Sequence, residues 1–269
     1  MLDYIKILRP SVVLLTTFAV IVGALISGIY NINLIIVASI VAMLISGSGN
    51  VLNDYFDYDI DKINKPNRPL VSGSISKKNA IIYYLLLISL SIIFVLLLNI
   101  YCIVLAFFNI IFIFIYNKYL KRTVVGHFAD SWLPASAIIF GGLLSKAISI
   151  PLIILAAMSY FGNLSREIAK GIEDYKGDKK LNIKTFSILL GKKYASISAI
   201  FFLLIAIIIS PIPYLYGFFG LYYIIIVCIS IFAFIVSIFY LFRNVSKAQK
   251  IMKIAMFIGL LAFLAGIIQ

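Results

Sequence analysis

Nine stretches of apolar residues, separated by short polar breaks, run along this chain at about 11 to 29, 33 to 54, 80 to 99, 101 to 118, 128 to 145, 150 to 170, 194 to 210, 221 to 241 and 251 to 268. Each is close to the roughly 20 residues with which an α-helix crosses the hydrocarbon core of a bilayer. Barrel strands would instead alternate apolar and polar positions with period two. The pattern predicts an all-α polytopic membrane protein, with nine transmembrane helices around a central cavity and residues 1–269 forming one domain without a soluble appendage. Lys6 and Arg9 before the first stretch, and Ala24, Ser27 and Gly28 near its end, give it the outline of a signal peptide. Eight further spans behind it argue that it is retained. Pro134, inside the fifth stretch, is expected to kink that span.

Composition points the same way. Hydrophobic residues make up 63% of the chain and charged residues 12%, and the mean hydropathy is +1.12, outside the range of soluble globular domains. The formal charge of +13 comes with no nucleic-acid motif or basic helical stripe, so no nucleic-acid partner is expected, and anionic membrane lipids account for it better. With the N-terminus inside, 22 of the 23 Lys and Arg fall in inner segments and only Lys146 falls outside. This asymmetry predicts a multi-pass cell-membrane protein with a cytoplasmic N-terminus and an external C-terminus. Cys102 and Cys228 both lie inside apolar stretches, without ligand spacing, and read as packing residues.

The acids are few and clustered. Of ten Asp and Glu, Asp54, Asp57, Asp59 and Asp61 lie together, and Glu167, Glu173, Asp174 and Asp178 form a second group. Asp3 and Asp130 are the remainder. Both groups sit at the inner ends of spans, the second and the sixth, so the topology allows them to meet across one cavity. At about 100° per residue, Asn50, Asp54, Asp57 and Asp61 share an arc of roughly 60° if the helix continues through them, while Asp59 points away. Arg166, Lys170, Asp174 and Asp178 are spaced by four, a stripe of two cations followed by two carboxylates. Interfacial charge alone would explain one such cluster; two on one side, in helical register, indicate a site. Hard oxygen ligands beside Lys and Arg suit Mg²⁺ completed by phosphate oxygens, and do not suit zinc. A diphosphate bridged by metal ions is the natural ligand, with metal and cations neutralising charge on the departing group. His127, the single histidine, is either an interfacial side chain or a group for proton removal. Asp130 and Ser131 either line a cavity or cap a helix. Some of the 21 Phe and 17 Tyr stand to face a carbocation through cation–π attraction.

The stretch Asn53-Asp54-Tyr55-Phe56-Asp57-Tyr58-Asp59-Ile60-Asp61, followed by Arg68-Pro69 and Ser72-Gly73, resembles the NDxxDxxxD signature and downstream loop of the UbiA-type intramembrane prenyltransferases. Asp174 and Asp178, followed by Ile183-Lys184-Thr185 and Gly191, resemble that superfamily's second Asp motif. The resemblance covers essentially the whole chain. It implies that Asp54, Asp57, Asp61, Asp174 and Asp178 are catalytic and hold two Mg²⁺ ions on a prenyl diphosphate. Asn50, Arg68, Lys121 and Lys170 would contact phosphate oxygens, and Arg9, Arg122 and His127 complete the substrate-binding set. Segments 62 to 79 and 175 to 193 would form a cytoplasmic cap that excludes water from an allylic carbocation. The forms NDYFDxxIDxINxPxRPxxSG and RExxKxxEDxxGD are most similar to the archaeal ether-lipid branch, which implies geranylgeranyl diphosphate as donor and the lipid-like geranylgeranylglyceryl phosphate as acceptor. Gly171 and His127 depart from that branch, where Asp and Asn are usual. An aromatic acceptor such as 4-hydroxybenzoate or dihydroxynaphthoate is the alternative, and a cation or phosphate transporter is the non-enzyme reading. Acids near one surface, rather than at the midplane, disfavour the transporter. The CDP-alcohol phosphotransferases also pair intramembrane Asp with metal, but their signature is missing here. The sequence leaves the oligomeric state open.

Overall fold

The structure, a computed structural model, describes residues 2–180 and 183–268. Among them every regular element is helical. The chain divides into two compact units, Met1–Tyr119 with Phe140–Ala147, and Leu120–Ile139 with Ile148–Gln269.

The first unit opens with a short helix, α1 (Leu2–Ile7), joined through Arg9 to α2 (Pro10–Ile26). Pro10 occupies the first turn of α2, where its missing N–H costs nothing. Next come α3 (Ile32–Phe56), α4 (Tyr58–Asn64), α5 (Lys77–Val95) and α6 (Ile100–Ile115), the last running into a π-helical turn, Tyr116–Leu120. Polar residues at the breaks start the helices: the side chains of Asn31, Ser76 and Asn99 accept backbone N–H groups of α3, α5 and α6. Helix α3 packs against α2 and α5. The residues between α4 and α5 fold back rather than reaching outward, because Leu70 and Ile75 bury themselves against Ile7 of α1, Val51 of α3 and Ala80 of α5. That burial carries Arg68 back to the end of α3.

The second unit contains α7 (Val124–Gly142), whose last turn belongs to the first unit, then α8 (Ile150–Glu173), α9 (Tyr175–Lys180), α10 (Phe186–Ile209), α11 (Ile212–Leu215), α12 (Leu221–Leu241) and α13 (Val245–Ile267). Helix α8 packs on α10 and α13, and α12 on α13. Small residues set the spacing: Ala169, Ala195, Ala199, Ala248 and Ala255 are fully buried among Leu164, Ile168, Leu203 and Met252. In a lipid environment close backbone approach, not apolar burial as such, holds helices together.

All nine apolar stretches fall on helices. Among the described residues, seven helical stretches are long and apolar enough to cross a membrane by length and composition. Helix α2 is shorter, with 17 residues, and α8 gathers Arg166, Glu167, Lys170 and Glu173 at its end. Large apolar side chains such as Ile93, Ile111, Ile208 and Phe232 are exposed along these helices, a surface suited to lipid rather than water. Helix α7 runs through Pro134 without interruption, as prolines in membrane helices often permit. The break in a long helix occurs instead at Gly191, whose φ of 79° and ψ of 160° interrupt α10. The expected seventh stretch begins at 194, just after it.

Candidate active site

In the first unit, helix α3 ends at Phe56 and Asp57 forms the junction to α4, with φ −88° and ψ 4°. The junction barely interrupts the spiral, since Asp57 N–H still donates to Asn53 C=O and Asp61 N–H to Asp57 C=O. Asp54 and Asp61, seven residues apart, are both buried, at 3% and 4% exposure. Arg68 joins them: its Nη1 donates to Asp54 Oδ1 at 2.6 Å and to Asp61 Oδ2 at 2.5 Å. Arg9 reaches the same atom, with Nη2 on Asp54 Oδ1 at 2.5 Å and on Asn53 Oδ1 at 2.9 Å. Asp54 thus accepts charge-assisted bonds from two guanidinium groups.

Arg9 does this from a left-handed backbone conformation, φ 54° and ψ 72°, which costs a non-glycine residue about 1 kcal/mol or more. The preceding peptide is held by Asn50, whose Nδ2 donates to Leu8 C=O at 2.8 Å. Asn50 therefore fastens α1 to α3 as well as lying on the Asp54 face. A cavity of about 440 Å³ opens here, lined by Lys6, Arg9, Asp54, Lys65, Pro66, Asn67, Arg68 and Pro69. Four cationic side chains against one carboxylate make it a place for an anion. Burial pushes the Asp61 carboxyl above its ordinary value, Arg68 opposes this, and Asp57 and Asp54 add to it. Asp59 is exposed and meets Lys62 at 3.7 Å.

In the second unit, α8 delivers Arg166, Glu167 and Lys170 and ends at Asp174, which occupies the junction to α9. Glu167 is buried and accepts from Arg166 Nη2 at 2.6 Å and Lys170 Nζ at 3.1 Å. Asp178 on α9 accepts from Thr185 Oγ1 at 3.4 Å, and Thr185 and Ser187 lie within hydrogen-bond distance of each other. Ser187 Oγ donates to Gly171 C=O at 2.6 Å, tying the start of α10 to α8. Burial first, and the Asp174 charge second, push Asp178 up to about 6. Gly171 lies so close to His127 that a Cβ there would stand 3.3 Å from the imidazole Cε1. His127 is buried and its Nε2 has no hydrogen-bond partner. Arg122 is exposed, and its carbonyl accepts Lys184 N–H at 3.1 Å. Lys121 is half-buried at the start of the same turn.

Among the described residues, no group of three or more His, Cys, Asp and Glu side chains is placed to hold a metal ion. In the first unit the reason is visible: guanidinium groups meet the Asp54 and Asp61 carboxylates. The donor set remains one of hard oxygens, and two buried carboxylates gathered around cations display the demand for positive charge that Mg²⁺ satisfies. The residues fit such an ion by donor chemistry. Residues outside the predicted site set are Asn53, Lys6 and Lys65 in the first unit and Glu167 with Asn163 in the second. An acid within an apolar helix next to two cations was the signal available for Glu167.

Comparison with protein families matches residues 13–261 to the UbiA prenyltransferase family. The chain belongs to that family. It is an intramembrane prenyltransferase with several membrane-crossing helices. The digeranylgeranylglyceryl phosphate synthase of Methanosphaera stadtmanae is 38% identical over 269 residues, spanning 98% of each chain. A solved structure of digeranylgeranylglyceryl phosphate synthase matches this UbiA prenyltransferase with a TM-score of 0.83 at 35% identity, covering 99% of this chain and 98% of that one. A UbiA homolog from Archaeoglobus fulgidus bound to GPP and Mg²⁺ has a TM-score of 0.75 at 18% identity, covering 99% and 100%, a likeness of fold.

Proposed function

We propose that this UbiA prenyltransferase transfers a geranylgeranyl group from its diphosphate to the free hydroxyl of geranylgeranylglyceryl phosphate, releasing diphosphate and forming digeranylgeranylglyceryl phosphate for archaeal ether lipids. The observation that carries this reading is the 38% identity across nearly the full length of a synthase of that name. Asp54, Asp57 and Asp61 of the first unit and Asp174 and Asp178 of the second supply the carboxylates for Mg²⁺, taken as two ions. That a UbiA homolog binds GPP with Mg²⁺ supports the choice of metal. When bound, the metal neutralises charge on the diphosphate as it departs.

The chain's own residues do the rest. Arg68 and Arg9, which converge on Asp54, would supply cationic contacts to phosphate oxygens, and Asn50, Lys121, Lys170, Arg122 and His127 would add substrate contacts. The carbon–oxygen bond to diphosphate breaks, the acceptor oxygen bonds to the first prenyl carbon, and the hydroxyl proton is released. The segments 62 to 79 and 175 to 193, of which residues 181 and 182 lie outside the described residues, would shield the allylic cation from water on the cytoplasmic side, with the N-terminus also cytoplasmic and the C-terminus outside. The four cations around the cavity of the first unit suit a substrate pair carrying two phosphorylated groups, which brings more negative charge than a diphosphate with an aromatic monocarboxylate.

The test is incubation of the purified protein with geranylgeranyl diphosphate, Mg²⁺ and, separately, geranylgeranylglyceryl phosphate, 4-hydroxybenzoate and dihydroxynaphthoate. Selective ether formation on the glyceryl phosphate is the expected result. Selective prenylation of either aromatic would replace the acceptor, and uptake of cation or phosphate into vesicles without transfer would replace the enzyme.

A further inference from the structure

Glu167 is a buried charge of the second unit. It lies at 6% exposure between Leu164 and Ile168, both at 0%, where a carboxylate is retained only by being paired and hydrogen-bonded. Its two oxygens are divided between two cations: Oε1 takes Arg166 Nη2 at 2.6 Å and Oε2 takes Lys170 Nζ at 3.1 Å. Asn163 Oδ1 grips the same guanidinium a second time, from Nε at 3.2 Å and Nη2 at 3.0 Å. The cations are not buried to match. The Lys170 side chain is 52% exposed and that of Arg166 26%, against 7% for Glu167. The acid is the anchored end, the cations are the presented end, and the trio keeps one surplus positive charge. Asp130 adds a further negative field at Lys170.

We propose that Glu167 is a positioning residue which, with Asn163, fixes Arg166 and Lys170 as a paired cationic clamp for a phosphate-bearing substrate. A long lysine and a long arginine on a helix surface are otherwise free to sample many rotamers, and fixing them in advance removes that entropy from the binding step. Arg166 thereby joins the substrate-contacting residues, and Glu167 acts through its neighbours without touching the ligand. The inference rests on the prenyl-transfer reading and deepens it. The phosphate belongs to either the prenyl diphosphate or the phosphorylated acceptor, chemistry the clamp serves alike.

The experiment measures kcat and KM for each substrate in turn, and the binding of magnesium pyrophosphate to the detergent-solubilised protein by calorimetry, for wild type, Glu167→Gln, Glu167→Asp, Lys170→Met and the double variant Glu167→Gln/Lys170→Met. Expected for Glu167→Gln is a KM raised about tenfold for one of the two phosphorylated substrates, with kcat within about threefold. The substrate whose KM moves, and whether pyrophosphate affinity moves with it, names which phosphate the clamp holds. Glu167→Asp, which keeps the charge but retracts it by one methylene, should fall between, and it carries the test if Glu167→Gln does not fold. The double variant should lose less than the sum of the two single losses, because part of the effect of Glu167 runs through Lys170. Unchanged KM and unchanged pyrophosphate affinity in Glu167→Gln, with only a lowered Tm, would overturn the proposal, as would an additive double variant. Failure of the wild type to transfer prenyl groups would sink the functional reading instead, while pyrophosphate binding would still read the clamp.

Discussion

Arg68 Nη1 stands 2.5 Å from Asp61 Oδ2, and the same nitrogen stands 2.6 Å from Asp54 Oδ1. One donor atom therefore holds together the first and last carboxylates of the motif, across the α3–α4 junction. Removing it leaves two buried carboxylates facing each other, and breaking a buried pair in this way costs about 3 kcal/mol. Arg68→Met should lower the Tm by several degrees and reduce prenyl transfer by about a hundredfold or more. Arg68→Lys puts a point charge near the two carboxylates but has no second arm for phosphate. It should recover most of the Tm and little of the activity, a split that thermal unfolding and steady-state rates read directly. Recovery of both together would mean that Arg68 serves only the carboxylates.

Asp178 gives the site a pH dependence with a definite sign. Its carboxyl ordinarily titrates at 3.8, and burial together with Asp174 raises it to about 6 in the folded protein. The folded state thus favours the protonated form, so the associated stability is present in full below 3.8 and is lost as pH rises through 6. Above 6 the ionised Asp178 needs a counter-charge, which a divalent cation supplies. The increase in Tm produced by Mg²⁺ should therefore be small at pH 5 and larger at pH 7.5, with affinity falling about tenfold per pH unit below 6. Asp61, also raised, adds in the same direction. Asp178→Asn should flatten the profile; a variant that keeps the wild-type slope would move the effect to another group.

Asp54→Ala and Asp174→Ala should each reduce transfer by about a hundredfold or more while the protein stays folded in detergent. Folding survives because the neighbours keep partners: without Asp54, Arg68 retains Asp61 and Arg9 retains Asn53, and Asp174 is exposed at its helix end. A chelator should stop the wild type, and added Mg²⁺ should restore it. Full activity of either variant, or a rate indifferent to chelation, would remove the metal from the mechanism.

The apolar stretches could be read as helices because membrane length and periodicity leave little else. The near-continuous helix through Asn50, Asp54, Asp57 and Asp61 was legible too, since the α3–α4 junction keeps i to i+4 bonding through Asp57. Arg9 was nameable as a cation but not as a left-handed residue, because nothing local distinguishes an Arg-Pro step in that conformation. The peptide before it is held from 42 residues away, by the Asn50 amide on Leu8. Glu167 was visible as a charge yet hidden as an anchor, since its burial is a product of tertiary packing that the local pattern does not display. Local pattern therefore reaches the elements and the donor chemistry, whereas which arginine meets which carboxylate is a property of tertiary packing.

Gly191 breaks α10 between its first residues and the long helical run that follows. Its φ of 79° and ψ of 160° lie in a region open almost solely to glycine, and a Cβ there would meet no atom within 4 Å. Crowding is therefore absent, and any effect of substitution comes from backbone conformation alone, at about 1–3 kcal/mol. Gly191→Ala should lower the Tm by a few degrees, whereas Gly177→Ala, in α9 and also free of contacts, should not, because that glycine is helical and alanine favours the helix. The Gly191 break also leads into the segment that carries Thr185 and Ser187, which bind Asp178 and Gly171. Straightening α10 through residue 191 would pull these contacts away, so Gly191→Ala should weaken Mg²⁺ binding as well as stability. A variant with a lowered Tm but wild-type Mg²⁺ affinity would confine the break at Gly191 to folding.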